Sequence, residues 1–61
     1  MKSYIVCAEA DGIELFWTGG RNGYWTRSYA DAYRYKSISS AWEVLQREHL
    51  SAITIMWIME I

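Results

Sequence analysis

Residues 52–61 (AITIMWIMEI), read with period two, are apolar on both sides. Ile53, Ile55, Trp57, Met59 and Ile61 share one face, and Ala52, Thr54, Met56, Ile58 and Glu60 share the other. A strand on a sheet with one solvated side alternates between apolar and polar residues. This segment therefore predicts a strand, Ala52 to Ile61, that needs cover on both faces. Its Ile and Thr content favours a strand over a helix.

Two further runs, 3–9 (SYIVCAE) and 13–18 (IELFWT), flank Asp11-Gly12, a pair suited to a two-residue type I′ hairpin turn. The turn sets a register with Ala10 opposite Ile13, Glu9 opposite Glu14, Ala8 opposite Leu15 and Cys7 opposite Phe16. One face then carries Tyr4, Val6, Ala8, Ala10, Ile13, Leu15 and Trp17. The other carries Ile5, Cys7 and Phe16, with Thr18, Glu9 and Glu14 at its margin. Glu9 and Glu14 face each other, a mildly unfavourable pairing that marks the solvated end of that face.

Asn22-Gly23 is a second turn signal, followed by a short third strand within Tyr24–Ser28. Alternatively the loop takes all of residues 19–23, and the face of Trp25 stays open. Residues 29–36 read as a helical turn or an irregular wrap. Ser37 is a helix N-cap. Ile38, Ala41, Trp42 and Leu45 follow at i, i+3, i+4 and i+7 as one apolar stripe. Glu43 and Arg47 are spaced to pair on the solvent side, and the helix is expected to end near His49, with only Leu50 and Ser51 before the last strand. The expected fold is α+β, in the order β-β-(β)-α-β. A small sheet of three or four mainly antiparallel strands carries one helix on one face, in a single domain spanning residues 1–61.

One helix covers one face. If Trp57 points to the helix, the second face gathers Ile5, Cys7, Phe16, Met56 and Ile58, a patch of the size that marks interfaces. These five residues form the expected oligomer interface of a symmetric homodimer. The competing expectation is that residues 24–36 fold back over this face. So polar a wrap covers apolar area poorly, which favours the partner.

Composition sharpens this picture. A chain of 61 residues buries little surface on folding, and small scaffolds usually add disulfides, metals or oligomerisation. Cys7 is the sole cysteine and His49 the sole histidine. An intrachain disulfide is thereby excluded, and so is a zinc site of Cys and His ligands. Oligomerisation remains, or a dense core built from the four Trp, five Tyr and one Phe. Unpaired cysteine usage fits a reducing, intracellular setting. The apolar C-terminal run has about half the length of a membrane-spanning helix, and the N-terminus lacks the apolar core of a signal peptide.

A net charge of −1 gives no overall pull toward nucleic acid. Residues 21–36 are locally different. Arg21, Tyr24, Trp25, Arg27, Tyr33 and Arg34 interleave rings and cations. Such a set suits a protein-binding rim or, as the alternative, single-stranded nucleic acid. His49 suits a helix C-terminus, Cys7 suits a core, and residues 19–23 lack the Lys-Ser/Thr ending of a phosphate loop. No catalytic constellation emerges, so binding without catalysis or cofactors is expected.

Phe16-Trp17-Thr18-Gly19, Trp25, and then Ala32, Arg34, Tyr35, Ser37 and Ala41 match a pattern, YWTG…W followed by A-x-R-[YF]-x-S-x-x-x-A. In this the chain resembles small bacteriophage and prophage proteins with an opening strand, a hairpin, a helix and a final strand. Phe16 stands where Tyr is usual, and the final strand is more apolar than usual. Proteins of this class include anti-CRISPR proteins and inhibitors of the Hachiman and Thoeris systems. The resemblance implies a stoichiometric inhibitor that binds a host defence protein in the bacterial cytoplasm. It transfers no binding residue.

Overall fold

A computed structural model describes residues 2–48 and 53–61. In chain order they form β1 (Tyr4–Ala10), β2 (Ile13–Trp17), β3 (Trp25–Thr26), a 3-10 turn (Tyr29–Asp31), α1 (Ile38–Arg47) and β4 (Ile53–Glu60). The four strands make one antiparallel sheet in the order β3-β2-β1-β4. This is the expected α+β fold. His49, Leu50, Ser51 and Ala52, which carried the expected helix end and strand start, lie outside the described residues.

The hairpin follows from its turn. Asp11 and Gly12 have φ of 52° and 79°, the left-handed pair that a type I′ turn requires. Cys7 then opposes Phe16, Ala8 opposes Leu15, Glu9 opposes Glu14 and Ala10 opposes Ile13. These pairs are the expected register.

Beyond Trp17 the chain leaves the sheet. Thr18 N–H donates to the Tyr24 carbonyl, and Tyr24 N–H donates to the Thr18 hydroxyl, closing the loop 19–23. Trp25 then pairs with Trp17, which places its ring on the helix side, 5.3 Å from the Trp17 ring. After the 3-10 turn the chain returns to the strip that β2 vacates. Tyr33 N–H donates to the Trp17 carbonyl, and Tyr35 exchanges two backbone hydrogen bonds with Tyr4. This crossing passes the chain from one face of the sheet to the other and delivers α1. It needs Gly19, whose φ is +79° and where a Cβ would lie 2.6 Å from the Tyr33 Cβ.

Ser37 caps α1 by accepting from Ser40 N–H. The helix buries Ala41 and Val44 against Val6 and Trp17, with Leu45 half-buried beside them. The expected stripe is thus rotated, and Ile38 and Trp42 are half-exposed. The side chains that pack over Val6 and the Trp17 indole are the small Ala41 and Val44. Arg47 bonds the adjacent Glu48 carboxylate at 3.0 Å rather than pairing with Glu43.

The second face is closed inside the subunit. Ile5, Cys7 and Phe16 are buried, with Ala32, Trp57, Met59 and Ile61 packed against them. The Tyr29 ring meets Phe16 edge-on at 5.5 Å. The wrap therefore covers this face with the Tyr29 ring and Ala32, while Arg27, Asp31 and Arg34 stay exposed. Trp57 opposes Cys7 and Ile58 opposes Val6, so Trp57 points away from the helix. Met56 and Ile58 lie on the helix side. The five residues expected to form one oligomer patch are split between two faces, and three of them are core. The physical reason is the phase of β4: both of its sides are apolar, and pairing with β1 selects the one that alternation could not.

Candidate functional site

Three features stand out on the described surface: a polar cleft, an apolar groove and the free edge of β4. The cleft lies between the loop 19–23, the crossing segment and α1. Its volume is about 710 Å³, and its walls include Arg21, Tyr33, Tyr35, Ser40, Glu43 and Arg47. Trp17 forms its floor. Gly23 allows this, because a Cβ there would lie 2.5 Å from the Trp17 ring.

The cleft has an unusual electrostatic interior. The indole N–H of Trp17 is buried and has no hydrogen-bond partner. It faces the Tyr35 hydroxyl closely enough to favour that group's ionised form, but without the geometry of a hydrogen bond. Burial dominates and pushes the Tyr35 hydroxyl up, against the opposing pull of the Arg47 charge and the indole. The rings of Tyr33 and Tyr35 lie 4.6 Å apart and present a broad aromatic wall. Arg21, at the mouth, is exposed.

Of the six residues expected to bind a partner, Arg21 and Tyr33 meet at this cleft. Tyr24 is exposed at the closure of the same loop. Trp25 is half-buried and packs on the core shared by Val6 and Trp17, so it is chiefly a structural residue. Arg27 and Arg34 are exposed. The sequence reading placed Tyr35 in the same aromatic and basic segment 21–36, but missed Ser40 and Arg47 as members of one site. They lie on α1, far along the chain from Arg21, and only the crossing of residues 33–35 brings them together.

Cys7 is fully buried, and its thiol is pushed up to about 11, first by burial and then by the Glu14 carboxylate on the same face. At neutral pH it is a protonated core side chain and not a nucleophile. Among the described residues no cluster of His, Cys, Asp and Glu is arranged to hold a metal ion. No described helix is long and apolar enough to cross a membrane.

The groove lies on the helix side, next to β4. Its volume is about 480 Å³, and Ile38, Trp42, Leu45, Met56, Trp57 and Ile58 line it. It opens where the sheet ends, because β4 is an edge strand.

No protein-family model, no curated protein and no solved structure matches the chain.

Proposed function

We propose that the chain is a small phage-type interaction protein that binds a host protein, a component of an anti-phage defence system, and blocks it by occupancy. It would act in the bacterial cytoplasm without catalysis and without a cofactor. The phage setting rests on the sequence resemblance carried by residues 16–19, Trp25 and the step from Ala32 to Ala41. The binding mode rests on the polar cleft. Arg21, Tyr33 and Arg47 stand at its walls, and Arg and Tyr are the residue types that most often anchor protein interfaces. The stacked rings of Tyr33 and Tyr35 add an aromatic wall beside them.

The test is paired affinity capture from a bacterial lysate with the wild-type chain and with the double variant Arg21→Glu, Tyr33→Ala. The expected result is one stoichiometric protein partner, retained after nuclease treatment and lost in the variant. Arg21 is exposed and Tyr33 is half-exposed against Tyr35, so an unchanged circular dichroism spectrum and the single variant Arg21→Glu, which should also weaken capture, separate lost binding from lost fold. Recovery of mixed proteins that vanishes with nuclease would replace this reading with single-stranded nucleic-acid binding.

A further inference from the structure

We infer that the chain forms a two-fold homodimer in which β4 pairs with β4 of a second copy, extending the sheet across the dyad. This interface is distinct from the polar cleft.

The hydrogen-bond phase of β4 is the starting observation. Ser3 and Ile61 exchange both of their backbone bonds, at 2.9 and 2.8 Å. In an antiparallel ladder such pairs alternate with pairs whose N–H and C=O groups point outward. With Ile5 opposite Met59 and Cys7 opposite Trp57, the backbone groups of Ile55, Trp57, Met59 and Ile61 turn toward β1. Those of Met56, Ile58 and Glu60 turn toward the free edge. Among the described residues β4 pairs with β1 alone. Residues 55–59 (IMWIM) contain no charge and no Pro, which are the usual means of blunting an exposed edge. Glu60 is the only charge on the strand, and Lys2 lies 3.7 Å from it. The edge therefore presents little charge to repel a second copy.

A dyad through Ile58 satisfies the edge. Ile58 meets Ile58 of the second copy, and Met56 meets Glu60 of the second copy. Three outward-facing pairs then supply about six backbone hydrogen bonds, two for each pair. On the second face the same register sets Ile55 against Ile61 and Trp57 against Met59 of the second copy. Ile55 is 55 % exposed in the lone subunit, and this pairing covers it.

The helices meet in the same arrangement. α1 packs over both β1 and β4, which puts its axis near the seam between them. The dyad lies half a strand spacing outside β4. The two helix axes are then about 10 Å apart, the distance at which helices pack. Directly opposed residues in an antiparallel pair share a face, so both helices lie on one side. Trp42, which is 52 % exposed, and Ile38 project into the groove that the second copy closes. Each copy contributes one eight-residue strand and one face of a ten-residue helix, a seam at the small end of specific interfaces, which begin at about 1,200 Å², so the dimer dissociates on dilution.

Sedimentation equilibrium across a concentration series, with amide hydrogen exchange on the same samples, tests this. The wild-type chain is expected to be a dimer that dissociates on dilution. Exchange at Met56, Ile58 and Glu60 should slow by about tenfold or more in the dimer. Trp42→Glu and Ile55→Lys replace exposed side chains. Each should raise the dissociation constant by about tenfold or more with an unchanged circular dichroism spectrum. A wild-type chain that stays monomeric at millimolar concentration overturns the inference. So does a dimer that both folded variants leave intact, or one in which those three amides exchange freely. Protection of the edge amides only on adding a strand from another protein would assign the edge to that protein instead. The exchange measurement uses the wild-type chain and does not depend on the variants folding.

Discussion

The two faces of the sheet are closed by different means. On one, α1 is a lid set by a cap and an apolar stripe, and it buries Ala41 and Val44 over Val6 and Trp17. On the other there is no regular lid. Phe16, Cys7 and Ile5 are sealed by the Tyr29 ring, Ala32 and the strand's own Trp57, Met59 and Ile61. Both solutions bury their central residues almost fully. The difference teaches that the mean polarity of a segment does not measure how well it covers a surface. A few rings aimed inward suffice while charged neighbours face water.

The sharpest way to break this comparison is Phe16→Ala. If the second face is a true core, the loss is about 3–5 kcal/mol, enough to remove a cooperative urea transition in so small a domain. A loss below about 1 kcal/mol would mean that the wrap does not seal the face.

The crossing between the faces comes next. Gly19→Ala combines a left-handed φ of +79° with a Cβ 2.6 Å from that of Tyr33. It should cost more than Gly20→Ala, where φ is +80° and the space is open. About 1–2 kcal/mol is expected for the latter from φ alone. Equal urea midpoints for the two variants would show that Tyr33 does not pack there.

A third test uses pH. The Cys7 thiol is raised from 9.0 to about 11 by burial and by Glu14. The unfolded chain therefore loses this proton at lower pH than the folded one. Above pH 9 the unfolded state binds fewer protons, and stability falls as pH rises toward 11. The decline is about 3 kcal/mol at most. Thermal melts across this range should show a shallower fall in Cys7→Ala. The Tyr35 hydroxyl, also raised, works in the same direction and accounts for what remains.

The smallest effect belongs to the lid. Ser37→Ala removes the oxygen that accepts from Ser40 N–H and should cost about 1 kcal/mol, read from the urea midpoint.

Local chemistry made much of the fold legible. Asp11-Gly12 dictates the hairpin register, and Ser37 dictates where α1 starts. Two points needed the tertiary structure. The phase of β4 was ambiguous because alternation cannot choose between two apolar sides. The rotation of α1 was ambiguous because Ala41 and Leu45 belong to both the stripe with Ile38 and Trp42 and the stripe with Val44. Packing on Val6 and Trp17 takes the stripe with Val44. Of the candidate site, Arg21, Tyr33 and Tyr35 could be read from their segment. Ser40 and Arg47 could not, since a cleft joining distant segments leaves no local pattern.

The central strand β1 is the first element synthesised, and one of its two neighbours, β4, is the last. A ribosome that has not yet released residues 53–60 carries a sheet with its middle strand half-paired and Ile5 and Cys7 lacking Met59 and Trp57 as neighbours. The sheet therefore closes only once residues 53–60 have joined β1, and until then β1 offers one open edge.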